Sequence, residues 1–166
     1  MSAAAKQPFP SAAEVVHGVE AVRDCRAEID RMAAGHAQEF SHHLDQKGAP
    51  RPDWGRALLI ERAGNLRICT ARANGTLVGY FIMVRDKSPH FDLTLVVDDT
   101  FYLAPWFRPG WGLYRFLRFA TEQMADFGGP GACLVVCNKI DQDLPAVWER
   151  LGFAPEEIRR TKMVQK

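Results

Sequence analysis

The sequence has 166 residues, 47% of them hydrophobic and 25% charged, with a formal net charge of +1. That is one domain of ordinary size, able to bury a core without disulfide or metal staples, and it lacks the basic excess of a nucleic-acid-binding module. No apolar run is long enough to span a membrane and no secretory leader pattern is visible, so the expected compartment is the cytoplasm.

Residues 1–10, with three alanines and two prolines, read as a loose lead-in to a single domain over 11–166. Ser11 and Glu14 have capping-box spacing, and Val15, Val19, Val22 and Ile29 follow at helical intervals. Gly18 and Gly35 weaken that run, which predicts either one helix or two. His36, His42 and His43 read as a polar helix face, because no carboxylate or cysteine stands near them at metal-ligand spacing. Gly48 to Pro52 breaks the chain, and Asp53 caps a short helix running to Ala63 with Gly64 as its stop.

From Leu66 the period changes to two. Leu66, Ile68 and Thr70 alternate with Arg67 and Cys69, Asn74-Gly75 supplies a hairpin turn, and Thr76 to Val84 returns as a strand. Arg85 to Pro89 reads as a loop. His90 to Leu103, interrupted by Asp98-Asp99, predicts one bent strand or two short ones. After the break at Pro105 to Gly110, Leu113, Phe116, Leu117, Ala120 and Met124 share one helical face, with Arg115, Arg118, Glu122 and Asp126 on the other. Gly128 to Gly131 ends that helix. Ala132 to Cys137 predicts a buried strand, Leu144 to Leu151 a short helix, and a last strand begins near Ile158. The basic residues Arg159, Arg160, Lys162 and Lys166 read as a solvated face. The four cysteines, Cys25, Cys69, Cys133 and Cys137, form no close pair, and the last two read as small buried hydrophobes. The order of elements predicts an α/β (α+β) domain with a mixed, largely antiparallel sheet flanked by helices.

Phe101 to Arg115 is where chemistry is expected. A strand, a glycine-containing turn and an amphipathic helix follow one another, and a helix N-terminus offers unpaired N–H groups and a positive dipole end. Gly110 and Gly112 would let a phosphate approach the backbone, and Arg108 adds a charge-assisted contact. The same glycines also read as plain turn geometry.

This stretch resembles the acetyl-CoA-binding motif of the GNAT superfamily of N-acetyltransferases. Asn138 followed by Ala146 to Phe153 is similar to that family's second motif, and Ala71 to Tyr80 to its first hairpin; together the matches cover roughly residues 54–164 in family order. The resemblance is nearest to a divergent branch common in phage genomes, with a shortened Arg-x-Gly loop. It implies a direct transfer from acetyl-CoA to the amine of a small molecule or peptide, without metal, and leaves a homodimer open. It implies cofactor contacts at Phe101, Leu103, Arg108, Pro109, Gly110, Trp111, Gly112, Leu113 and Asn138. It places the general base at Asp99, six residues before Pro105, and the oxygen-stabilising N–H on the strand of Phe101 to Leu103; Asp98 is expected to face the other way. Tyr102 and Tyr114 are candidates for the acid that protonates the sulfur, although each also reads as a packing tyrosine. His90, at a loop-to-strand junction, reads as structural.

Two departures stand out. Phe107 fills the family's arginine position, with the arginine one residue later, and Trp148 fills the position of the tyrosine acid. They keep two other functions in view: a GNAT-fold interaction module without activity, and a protein that takes another acyl donor or senses CoA.

Overall fold

Among the described residues, the β-branched and aromatic segments of the sequence assemble into one five-stranded sheet whose strands lie side by side in chain order. The computed structural model describes residues 15–40, 52–109, 111–137 and 144–155. The strands are β1 (Val15–Glu20), β2 (Leu66–Ala73), β3 (Thr76–Lys87), β4 (Thr94–Leu103) and β5 (Cys133–Val135); the helices are α1 (Val22–Phe40), α2 (Trp54–Arg62), α3 (Trp111–Gly128) and α4 (Pro145–Arg150). The first four strands pair antiparallel and β5 joins β4 in parallel. A mixed, mostly antiparallel sheet with flanking helices is the architecture expected from the order of elements.

The first expected helix divides in two. Val15–Glu20 is a strand that pairs with β2 from Val15↔Ala73 to Glu20↔Ile68, and the helix begins only at Val22. Valines at intervals of four and three satisfy a helical stripe, but four of the five residues Val15, Val16, His17, Gly18 and Val19 are β-branched or poor helix formers, and the open edge of β2 takes them. Gly35 is accommodated within the single helix α1. Strand β3 continues three residues past Val84, through the expected loop, while β4 starts later, at Thr94. Cys133 is half-buried and Cys137 exposed, which corrects the reading of these two as buried hydrophobes; Cys25 and Cys69 are the buried ones. The Ser11–Glu14 cap, His42, His43, the strand near Ile158 and the basic cluster lie outside the described residues.

Other local signals act as their chemistry dictates. Asp53 Oδ1 accepts the Arg56 N–H at 2.9 Å and starts α2. Asn74 (φ 49°) and Gly75 (φ 79°) both adopt the left-handed backbone that a two-residue hairpin turn demands. Helix α3 buries Phe116, Leu117, Ala120, Met124 and Phe127.

The core lies in two layers, one on each sheet face. On one, α3 and α4 pack Phe116, Leu117, Met124 and Trp148 against Phe81, Met83, Val96 and Leu103. On the other, α1 and α2 pack Val22, Cys25 and Ile29 against Ile68, Tyr80, Ile82 and Tyr102. At the rim of the second layer, Arg72 donates to Glu20 through Nε (2.7 Å) and Nη2 (2.8 Å), and Nη2 also meets Glu28 at 2.8 Å. Glu28 in turn accepts the Leu77 N–H at 3.3 Å. One guanidinium thus ties β1, β2 and α1 together. Its hydrogen bonds hold the carboxyls of Glu20 and Glu28 below their ordinary value of 4.5. A depressed carboxyl stabilises the fold above its unfolded value and loses that contribution as pH falls through the folded one. Arg72→Met is therefore expected to cost about 2 kcal/mol at neutral pH, less than a fully buried pair because all three side chains are partly solvated. It should also flatten the loss of melting temperature that the parent shows below about pH 4.5, which thermal melts over pH 3–7 would measure.

Candidate functional site

The site is built on the edge of β4 that β5 leaves open. Strand β5 pairs only from Leu95↔Cys133 to Val97↔Val135, whereas β4 runs on to Leu103, so beyond Val97 no described strand lies beside that edge. Asp98 marks the point of divergence. It is buried, and its Oδ1 accepts the Cys137 N–H at 2.8 Å, fastening the departing chain to β4.

Pairing with β3 sets what the open edge presents. The Ala104 N–H donates to Val78 O at 2.8 Å. Alternation along an antiparallel pair then gives Tyr102 its bonds with Tyr80 and turns the N–H and C=O groups of Phe101 and Leu103 outward, to the open edge. The Leu103 carbonyl there accepts from Arg108 Nε (2.9 Å) and Nη2 (2.7 Å), and the guanidinium carbon lies 5.3 Å from the centroid of the Tyr102 ring. Arg108 thus braces the end of β4.

A 3-10 turn, Pro105–Phe107, leads from β4 toward α3 and buries Phe107. Gly112, in the first turn of α3, faces that residue: a Cβ at 112 would sit 2.6 Å from Phe107 O and 3.3 Å from two ring carbons. The fold itself therefore requires this glycine, so Gly112→Val is expected to distort the turn rather than merely obstruct a phosphate. Gly110 and Asn138 lie outside the described residues, while Pro109 is exposed. Helix α3 starts at Trp111 with no acidic side chain in its first turn, so its unpaired N–H groups and positive end keep their charge character. Trp111 is exposed and meets Tyr114 edge-on at 5.8 Å, while Leu113 is half-buried against the α3-side core.

The three residues expected to catalyse are spread around this edge. The β3–β4 register runs Met83↔Asp98 and then Ile82↔Thr100, leaving Asp99 as the extra residue of a β-bulge. Asp99 is exposed at that bulge while Asp98 is buried; simple alternation does not hold across a bulge, so the expected opposite facing of the two no longer follows from strand geometry. Tyr102 is buried on the α1 side, stacked on His36 at 5.0 Å. A Cβ at Gly35 would lie 2.7 Å from the Tyr102 hydroxyl, which shows how closely α1 covers it. Tyr114 belongs to α3. Trp148 is buried, edge-on to Phe101 (6.1 Å) and Phe153 (5.3 Å), and joins α4 to β4 as packing. His90 is exposed, its N–H directed to Ser88 Oγ at 3.3 Å.

One group escaped the sequence reading. His36 is buried rather than on a polar helix face; its Nδ1 is hydrogen-bonded to the Tyr80 hydroxyl, and its Nε2 lies 3.5 Å from Thr100 Oγ1. The signal was present, because His36 extends the stripe Val22, Cys25, Ile29, Ala33 by one further turn.

No protein-family model matches this sequence, and no curated protein matches it either. Its shape, however, is shared. An aminoglycoside acetyltransferase from an uncultured soil metagenomic sample, solved with sisomicin, superposes with a TM-score of 0.67 at 14% identity, covering 93% of this chain and 98% of the other. Glucosamine-6-phosphate N-acetyltransferase from Arabidopsis thaliana gives 0.67 at 11% identity over 91% and 99%. Ribosomal-protein-alanine N-acetyltransferase from Brucella melitensis biovar Abortus 2308 gives 0.63 at 17% identity over 90% and 99%. A GNAT family acetyltransferase from Staphylococcus aureus gives 0.63 at 11% identity over 91% and 99%. The fold is that of the GNAT acetyltransferases over nearly the whole chain.

Proposed function

We propose that this protein is an N-acetyltransferase that passes an acetyl group from acetyl-CoA to a primary amine, of a small molecule or a peptide, within a ternary complex. The observation that carries the reading is the open edge of β4, where Phe101 and Leu103 present backbone groups beside the N-terminus of α3. An extended amide-bearing arm suits that edge as a strand would, and a pyrophosphate suits the positive end of the helix. Acetyl-CoA combines both, with an electrophilic thioester as the chemistry it supplies.

On this reading the arm lies along Phe101 and Leu103, and the pyrophosphate meets Arg108, Pro109, Gly110, Trp111, Gly112 and Leu113. Asn138 is proposed as a further cofactor contact on the strength of the motif that it opens. The outward Phe101 N–H is placed to stabilise developing negative charge on the thioester oxygen. Asp99, exposed at the bulge, takes a proton from the incoming ammonium, directly or through water. The hydroxyl of Tyr114, on the helix beside the open edge, or that of Tyr102 returns a proton to the sulfur. The loop, one residue shorter than the family pattern, supports a place near the divergent phage-associated branch.

A second reading, a GNAT-fold interaction module without activity, draws support from Trp148, whose buried indole replaces a phenol. Binding separates the two. At a hundred times its Kd, acetyl-CoA should stabilise the protein by about 2.7 kcal/mol, raising Tm by roughly 5–10 °C. No shift at millimolar acetyl-CoA and no heat of binding would favour the module. Arg108→Ala should weaken binding by about 1.5–3 kcal/mol, read by calorimetry; unaltered affinity would leave Arg108 with its bracing role at Leu103 alone.

A further inference from the structure

We propose that Arg108 is a latch on the open edge of β4 which a diphosphate releases, so that the protein selects its acyl donor by the phosphate end as well as by the arm. This rests on the transferase reading above and concerns how the cofactor gains the edge.

Two demands meet at one carbonyl. Phe101 and Leu103 turn their N–H and C=O groups to the open edge, and an arm laid there as a strand would donate an amide N–H to Leu103 O. That oxygen is already engaged. It accepts from Arg108 Nε at 2.9 Å and from Arg108 Nη2 at 2.7 Å. A backbone carbonyl has two lone pairs, and two charged donors at these distances occupy both. Leu103 O is therefore closed to a third donor, whatever else the guanidinium holds. The Tyr102 ring adds a second restraint, with the guanidinium carbon 5.3 Å from its centroid.

The place of Arg108 in the chain suits a latch. It ends the turn Pro105–Phe107 and stands three positions before Trp111, the first residue of α3. Its side chain is half-buried and lies back along β4. From the same backbone position, a side chain of this length can instead reach forward to an anion at the start of α3. Hydrogen bonds between two ions are shorter and stronger than those from an ion to a neutral carbonyl. A diphosphate seated at the helix end thus offers the guanidinium a better acceptor than Leu103 O. The guanidinium moves to it, and the carbonyl is left for the arm. A thioester with the same arm and no phosphate must break both bonds with nothing to give in exchange. Arg108 therefore acts with opposite sign on the two ligands: it favours a CoA thioester and opposes a phosphate-free one.

The experiment compares acetyl-CoA with S-acetylpantetheine, which carries the same arm without phosphate. Each is bound to the parent and to Arg108→Met, whose unbranched stem keeps contact with the Tyr102 ring. Acetyl-CoA, read by calorimetry, should bind the variant at least tenfold more weakly. S-acetylpantetheine, read by NMR titration, should bind the variant about fivefold more tightly than the parent, because the carbonyl that Arg108 closed is now open. S-acetylpantetheine affinity that is unchanged, lowered or undetectable in a folded Arg108→Met overturns the proposal, since a side chain that merely braced β4 would weaken both ligands. A second readout needs only the parent. In a crystal structure with acetyl-CoA, Leu103 O should accept from the arm and Arg108 should lie on the diphosphate. Both Arg108 bonds to Leu103 O retained in that complex overturn the latch, even if the variant does not fold. A parent that binds no acetyl-CoA defeats the transferase reading itself, a result distinct from all of these.

Discussion

Asp99→Asn is expected to lower kcat by about two orders of magnitude or more while leaving acetyl-CoA affinity unchanged. A positioned acid–base group contributes on the order of a hundredfold to ten-thousandfold, and the amide keeps the shape of the carboxylate while losing its basicity. Loss in the chemical step with binding preserved is the signature of an interaction made in the transition state. Asp98→Asn is the control. Its carboxylate is buried and accepts the Cys137 N–H, a task the amide oxygen can keep, so turnover should remain near parental. Asp98→Ala, which removes the acceptor, should cost about 1–3 kcal/mol of stability instead. Equal and undiminished rates in Asp99→Asn and Asp98→Asn would remove Asp99 from the mechanism.

Trp148→Ala should destabilise the protein by about 3–5 kcal/mol, the range for deleting a fully buried large aromatic. The indole is the packing link from the six-residue helix α4 to Phe101 on β4, and Phe153 closes over it. A helix that short has little stability of its own and depends on this contact. Urea unfolding at constant slope would read the loss, and Trp148→Phe should recover most of it. A cost below 1 kcal/mol would mean that α4 is held by something other than the indole.

The legible parts of the fold were those decided within a few residues. The Asp53 cap, the Asn74-Gly75 turn and the apolar face of α3 each depend on neighbours along the chain, and each formed as expected. The misread parts depend on partners far away. Val15–Glu20 carries a pattern that fits either helix or strand, and only β2, more than forty residues on, decides it. The end of β3 follows the length of β4, not its own polar residues Arg85 to Lys87. The candidate site divides the same way. The strand, turn and helix from Phe101 to Arg115 could be read in order. The role of Gly112 against Phe107 and the meeting of His36 with Tyr80 and Thr100 could not, since they are fixed by packing between elements.

The extra residue in β4 acts as a change of phase. Ahead of it, even-numbered positions such as Val96 and Asp98 serve the α3 side; beyond it, odd-numbered Phe101 and Leu103 do, and Thr100 and Tyr102 cross to α1. Asp99 is thus the residue that the strand holds out of the count: with it set aside, Asp98, Thr100, Phe101, Tyr102 and Leu103 alternate between the two faces without interruption. Deleting it should therefore leave every later side chain on its own face and restore a regular ladder with β3, removing only the bulge and the carboxylate it carries. An insertion of one residue within Phe101–Leu103, by contrast, would turn the side chains beyond it to the opposite faces unless a second bulge absorbed it. Substitutions at Asp99 test chemistry, whereas its deletion tests whether the site needs the bulge itself.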